Sequence, residues 1–239
     1  MNYQVISYPK CGRTWLKLIM THYAEIAYKL SINKPRHYIE PHRLHDYNKS
    51  LPNIKFAHSI RTDIQYVDSV ILLVRHPLDV FVSSYFQYNK RENGEDHFKG
   101  TISDYLKHTN TMSNIIDLYN TWINACNYCI TYEDMMQDFT NTIYNLFNHI
   151  GMINCNSNIA IKKVKKITSF RRLREKESNN FYCDVRMKPL DISDPESFKV
   201  RKGKIGGYKD YLSQVQIDYL MDIVANNLSD KFTSYKKEL

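Results

Sequence analysis

The first thirty residues change hydrophobic period part-way along. Tyr3-Gln4-Val5-Ile6-Ser7 is an apolar run of strand length, and Thr14 to Leu30 then sets Trp15, Leu18, Ile19, Tyr23, Ile26 and Ala27 on one helical face. The alternation recurs. Ile54-Lys55-Phe56-Ala57-His58 reads as a second strand, and the unbroken apolar run Val70 to Val74 as a third, buried on both faces as in a parallel sheet. Pro77 stands at a first helical position and opens a helix over Leu78 to Lys90. Thr101-x-x-Asp104 has the form of a helix start, Asn114 to Asn124 is a further helix, and Tyr128 to Thr131 a fourth strand. Thr140 to Ile150 is a helix stopped by Gly151, and Ser157 to Thr168 is a basic helix. Ser213-x-x-Gln216 is a capping box for a last helix ending near Leu228, while Pro35 to Lys55 and Ser178 to Gly207 read as irregular. Strands alternating with helices predict an α/β fold: a central, mainly parallel sheet flanked by helices. No repeat or composition break divides the 239 residues, so one domain over 1–239 is expected.

Composition narrows the class without changing the fold. With 43% hydrophobic and 24% charged residues, collagen-like, low-complexity and disulfide-stapled chains are excluded. No apolar run reaches the ~18–20 residues of a membrane span. Met1 to Ile6 lacks the basic and long apolar stretches of a signal peptide, so a cytoplasmic protein without a membrane partner is expected. The cysteines, Cys11, Cys126, Cys129, Cys155 and Cys183, are odd in number and scattered, which fits free thiols. Cys126-x-x-Cys129 has no second pair at zinc-finger spacing and is read as structural. The formal charge of +8 is concentrated: Lys162, Lys163, Lys165, Lys166, Arg171, Arg172, Arg174 and Lys176 face only Glu175 between Ile161 and Lys176. That stretch predicts either an anionic partner at one place or a solvated helix face.

The first strand and helix enclose a candidate anion site. Gly12 is the sole glycine in the first 93 residues and stands in Ser7-Tyr8-Pro9-Lys10-Cys11-Gly12-Arg13-Thr14-Trp15. A glycine there lets the backbone turn tightly and aim amide N–H groups at an anion, with the helix N-terminus adding positive potential. The strand–loop–helix is P-loop-like, but it is not a Walker A loop: its first glycine is missing and the lysine precedes Gly12.

Tyr8-Pro9-Lys10-Cys11-Gly12-Arg13-Thr14-Trp15-Leu16 resembles the loop Y-P-K-S-G-T-T-W-L of the cytosolic-type sulfotransferases, which binds the 5′-phosphosulfate of 3′-phosphoadenosine 5′-phosphosulfate (PAPS). Further segments follow in the family's order. Arg75-His76-Pro77-Leu78-Asp79-Val80 through Ser83 is similar to the 3′-phosphate segment R-N-P-K-D-V-x-V-S, and Tyr132-Glu133-Asp134-Met135 to Y-E-D-M. Thr168-Ser169-Phe170 is similar to the adenine segment T-S-F, and Arg201-Lys202-Gly203-Lys204-Ile205-Gly206 to R-K-G-x-x-G. The resemblance implies donor-binding roles for Lys10, Cys11, Gly12, Arg13, Thr14 and Trp15, for Arg75, Ser83, Tyr132, Thr168 and Phe170, and for Arg201, Lys202 and Gly203. PAPS carries phosphate groups at two separated places, and the chain offers two basic segments; Gly203, Gly206 and Gly207 make the second a flexible cationic flap.

The resemblance also implies the reaction: in-line sulfuryl transfer from PAPS to a hydroxyl or amine of a small-molecule acceptor, with no metal. His58 falls where the family carries its catalytic histidine in K-T-H, although Phe56-Ala57 replaces the preceding pair; it is the expected general base, and Lys10 the electrophilic partner. Cys11 stands for the family serine and Arg13 for its first threonine. The family's dimer segment K-x-x-x-T-V-x-x-x-E is degraded to Lys209-x-x-x-Ser213-Gln214-x-x-x-Asp218, which implies a monomer or weak homodimer. His37, His42 and His45 lack helical spacing and are expected to line the acceptor pocket or face water. That pocket is expected from Ile32 to Tyr47, Phe86 to Phe98 and Asn179 to Phe198. Two rival readings remain: a P-loop-type nucleotide kinase or NTPase using ATP and Mg²⁺, and a non-enzymatic nucleic-acid binder using the Ile161–Lys176 charge, which would show steep salt dependence.

Overall fold

The structure, a computed structural model, describes residues 1–58 and 67–238. All four expected strands are present within a residue of the expected bounds: β1 (Asn2–Ile6), β2 (Asn53–Ala57), β3 (Ser69–Val74) and β4 (Tyr128–Thr131). They form one all-parallel sheet in the order β2-β1-β3-β4. Val5 sits between Phe56 and Ile71 in register, at the centre of the sheet. The apolar run of β3 is buried from Val70 to Val74 because helices cover both faces.

Helices form the β1–β2 and β3–β4 crossovers. α1 (Arg13–Ala27) follows β1, and one helical turn, α2 (Leu44–Tyr47), precedes β2. α3 (Pro77–Lys90), α4 (Ile102–His108) and α5 (Thr111–Ile123) join β3 to β4. After β4 come α6 (Tyr132–Gln137), α7 (Phe139–His149), α8 (Ser157–Ile167), α9 (Phe170–Ser178) and α10 (Gln214–Asn227). Pro77 occupies the first turn of α3, and the capping boxes Thr101–Asp104 and Ser213–Gln216 open α4 and α10 as their sequences predict.

Two helices were not expected. α6 begins directly at the end of β4, with Thr131 as its N-cap accepting from the Asp134 amide at 2.9 Å. α9 lies inside the basic stretch and buries only Leu173 and Glu177, so it shows no apolar period from which to read a helix. Lys162, Lys163 and Lys166 of α8 are exposed while Ala160, Ile161 and Val164 face the core, so that part of the charge is a solvated face. Among the described residues no helix is long and apolar enough to cross a membrane.

Candidate functional site

The carboxyl ends of the parallel strands β1, β2 and β3 lie at one sheet edge, where open α/β sheets bind ligands. There a cleft of about 620 Å³ opens, a size suited to a small molecule. Of the expected donor-binding and catalytic residues, all but Cys11 line it, which brings Lys10, Thr14, His58, Arg75, Ser83 and Thr168 together from four separate segments.

The loop after β1 turns through two left-handed residues, Lys10 at φ 76° and Gly12 at φ 93°. At Gly12 a side chain is excluded twice. The backbone conformation disfavours it, and an added Cβ would lie 2.7 Å from the Tyr132 ring. Gly12→Ala is therefore expected to cost about 1–2 kcal/mol from the backbone alone. A urea melt coincident with that of the parent chain would contradict this.

Cys11 departs from expectation. Its side chain turns away from the cleft into the core, fully buried, with Sγ 3.2 Å from the Tyr119 hydroxyl. A thiol is a better core group than the serine it replaces, and burial pushes it up to about 12, so it stays neutral. Tyr119 in turn donates to the Arg75 carbonyl at 2.7 Å and accepts from the Arg75 amide at 2.9 Å. Cys11 thus serves the site by tying the β1 loop, through α5, to the end of β3.

Arg75 is the most enclosed cation of the cleft. Its guanidinium lies 3.3 Å from Asp79, donates to the Lys204 carbonyl at 3.1 Å and covers the Tyr132 ring at 4.4 Å. Its Nε is buried without a hydrogen-bond partner among the described residues, an orphan donor of the kind a bound anion satisfies. Asp79 also accepts from the Gly206 and Tyr208 amides, both at 3.0 Å, and so fastens the glycine-rich segment to α3. That segment is therefore pinned at its far end. Arg201 is held by Glu196 at 2.9 Å and the Tyr211 hydroxyl at 2.8 Å, and Lys202 by Asp210 at 3.1 Å. An added Cβ at Gly203 would collide with the Phe170 ring, which lies against that glycine.

Trp15 stands edge-on to Tyr132 with centroids 5.7 Å apart, and its Nε1 donates to the Thr168 carbonyl at 3.0 Å. The Thr168 hydroxyl donates to Val164 at 2.9 Å inside the α8 turn. Trp15, Tyr132 and Phe170 give the cleft flat apolar walls, suited to an aromatic base.

At the end of β2, His58 Nδ1 lies 2.6 Å from the Ser7 carbonyl. A carbonyl only accepts, so Nδ1 carries the proton and Nε2 keeps its lone pair. Partial burial, then Arg13, Lys17 and Lys199, push this imidazole down to about 4. His76, fully buried under the C-terminal residues, is likewise pushed down to about 4, chiefly by burial. Unfolded, both titrate near 6.5. As pH falls below 6.5 the unfolded chain takes up protons that the folded chain does not, until about 4. The urea midpoint is expected to drop from pH 7 to pH 5; equal midpoints would contradict these directions.

Lys199 in the cleft and Glu177 beside it were not expected from the sequence. Lys10 donates to Gln87 at 2.7 Å, and burial with Lys199, Arg91 and Arg201 nearby pushes its ammonium well below the usual range. Lys199 is pushed down to about 8, again mainly by burial. Glu177, fully buried, accepts from the Lys199 amide at 2.5 Å and the Val200 amide at 2.8 Å, and meets Arg91 at 3.3 Å. Arg91 also donates to the Arg186 and Lys188 carbonyls, both at 3.2 Å, so this pair straps residues 186–200 beside the cleft.

The expected acceptor walls are only partly there. Gln87, Tyr88, Glu92 and Met187 line the cleft, but no described residue of 32–47 does. That segment is held elsewhere: Tyr38 donates to Glu25 of α1 and packs with Ile39, Leu18 and Tyr182, while Glu40 pairs locally with Arg36 and Arg43, both at 2.8 Å, His37 meets Tyr47 at 2.6 Å, and His45 meets the Leu51 carbonyl at 2.8 Å. Among the described residues no three His, Cys, Asp or Glu side chains gather as a metal site.

A sequence profile of the sulfotransferase domain matches residues 3–232. Sulfotransferase 2A1 of Macaca fascicularis is 22% identical over 178 residues, covering 67% of this chain and 56% of that protein, so the match spans little more than half that relative's length. Mouse sulfotransferase SULT7A1 complexed with PAP has the same fold, with a TM-score of 0.68 at 20% identity over 98% of this chain and 88% of that one. Retinol dehydratase in a complex with retinol and PAP gives 0.59 at 18% identity over 96% and 81%. A profile that runs from β1 to beyond α10, through every segment that walls the cleft, leaves one assignment: the chain belongs to the sulfotransferase domain family.

Proposed function

We propose that the protein transfers the sulfuryl group of PAPS to a hydroxyl or amine of a small-molecule acceptor. One observation carries this reading: a single cleft holds two cation sets on separate scaffolds, with flat aromatic walls beside them. Lys10, Gly12 and Thr14 lie at the N-terminus of α1, and Arg75, Arg201, Lys202 and Gly203 line the same cleft. The partnerless Nε of Arg75 suits a phosphate oxygen, and the absence of side chains at Gly12 and Gly203 lets the Tyr132 and Phe170 rings pack directly on the two anion-binding segments. The PAP-bound relatives support the same donor.

When bound, PAPS supplies a sulfuryl group whose S–O bond to the phosphate breaks as a new bond to the acceptor forms. The Nε2 of His58 takes the acceptor's proton, a role worth about 10²–10⁴-fold. The Lys10 ammonium offsets charge on the departing oxygen; the donor's anionic groups relieve the repulsion from Lys199, Arg91 and Arg201 that lowers its pKa. Arg75, Ser83, Arg201 and Lys202 hold the 3′-phosphate, and Trp15, Tyr132, Thr168 and Phe170 the adenine. The degraded segment from Lys209 to Asp218 supports a monomer or weak homodimer.

The test is a thermal-shift panel followed by a transfer screen. Adenosine 3′,5′-bisphosphate (PAP) should stabilise the fold by about 2.7 kcal/mol at a hundred times its Kd, with no comparable shift from ATP–Mg²⁺ or an oligonucleotide. Labelled PAPS should then pass sulfate to a member of a panel of alcohols, phenols, amines and sugars. An equal shift from ATP–Mg²⁺ would favour the kinase reading instead.

A further inference from the structure

We propose that the acceptor carries a small oxyanion group, such as a carboxylate or sulfate, close to the atom that is sulfated, and that Arg13 binds it. This rests on the sulfuryl-transfer reading and adds the charge of the acceptor to it.

The inference comes from counting which cations of the cleft have a carboxylate. Arg75 has Asp79 at 3.3 Å, Arg201 has Glu196 at 2.9 Å and Lys202 has Asp210 at 3.1 Å. Arg13 has none among the described residues: the other fixed charge acting on it is Arg186, which is also positive. Lys199 donates to the Arg186 carbonyl at 3.2 Å, and Lys17 lies over the Phe56 ring at 4.9 Å. Neither contact cancels a charge.

The acids on this side are already engaged. Glu40 binds Arg36 and Arg43, Asp184 binds Arg186 at 2.6 Å, and Glu177 binds Arg91 together with two amides. Among the described residues, positive charge is therefore left uncompensated on the side of the cleft lined by His58, Arg13 and Lys199. The strongest charges acting on that imidazole among the described residues are, in order, Arg13, Lys17 and Lys199, all positive. A neutral acceptor would leave this surplus in a partly desolvated site. An acceptor oxyanion removes it, and the planar guanidinium of Arg13 can meet such a group with two parallel hydrogen bonds. It also raises His58 part of the way, by offsetting the cations that add to the effect of burial. The donor's charges have other partners in Lys10, Arg75, Arg201 and Lys202. Arg13 replaces a threonine of the family loop, so the device belongs to this chain.

The experiment uses the full chain saturated with PAP, so that the donor site is filled. Calorimetric titration compares 4-hydroxybenzoate with neutral 4-hydroxybenzamide, with 4-hydroxybenzenesulfonate as a second anion, in the parent chain and in Arg13→Met and Arg13→Lys. The proposal expects at least one anion to bind about tenfold or more tighter than the amide, the tighter one naming the preferred oxyanion. Arg13→Met should abolish most of that preference, and Arg13→Lys should keep part of it. Binding of PAP with an unchanged melting shift shows that each variant is folded. Equal affinity for the amide and both anions, or no binding of any, overturns the proposal. So does a preference that survives Arg13→Met while PAP affinity falls about tenfold, which would give Arg13 to the donor. Failure of the parent chain to bind PAP would instead sink the donor reading on which this one rests.

Discussion

His58→Ala should lose about 10²–10⁴-fold in kcat while PAP affinity stays within about twofold. The expectation follows from the tautomer. With Nδ1–H donated to the Ser7 carbonyl at 2.6 Å, Nε2 is the free lone pair, and the ring cannot present the other nitrogen without breaking that bond. His58→Gln offers the same discrimination: its amide restores polarity at the site but cannot take a proton, so it should be as inactive as alanine. The base limb of the kcat profile should lie below an imidazole's ordinary value of about 6.5, because burial and then Arg13, Lys17 and Lys199 push this ring down. A variant with near-normal kcat and intact PAP binding would place the base elsewhere.

The second large effect is expected at Arg75. Its guanidinium is 11% exposed and its partner Asp79 2%, so Arg75→Ala uncovers a buried carboxylate and should cost about 3–5 kcal/mol of stability. It also removes the orphan Nε donor and should weaken PAP binding by roughly 10- to 150-fold. Arg75→Lys separates the two effects. A lysine keeps a positive charge near Asp79 but has no fork, so it should recover much of the stability and little of the affinity. Urea melts and calorimetry on both variants read this out; full PAP affinity in Arg75→Lys would contradict the role assigned to Nε.

Much of the fold was legible because its signals are local. The apolar run of β3, the proline opening α3 and the two capping boxes each report on their own neighbourhood. Gly12 was legible for a similar reason, since it stands alone between a strand and a helix and φ 93° requires a glycine. What stayed hidden depends on distant pairs. Asp79 reaches Gly206 and Tyr208, and Glu177 reaches Arg91, across stretches that carry no pattern of their own. The direction of Cys11 was hidden too, because a turn residue between Lys10 and Gly12 can face either the cleft or the core until Tyr119 is placed beside it. α9 escaped because two buried side chains in nine residues make no period. The segment 32–47 looked like a pocket wall by its aromatics and histidines, yet Tyr38 bonds Glu25 of α1 and packs with Tyr182, away from the cleft.

The account stands most directly on the recognition of a 3′-phosphate. Calorimetry with PAP, its isomer adenosine 2′,5′-bisphosphate and 5′-AMP measures this without knowledge of the acceptor. The two bisphosphates carry the same charge, so a merely cationic cleft binds them alike. The arrangement of Arg75, Arg201 and Lys202 predicts that PAP binds about tenfold or more tighter than either of the others. Equal affinity for PAP and its isomer would contradict it.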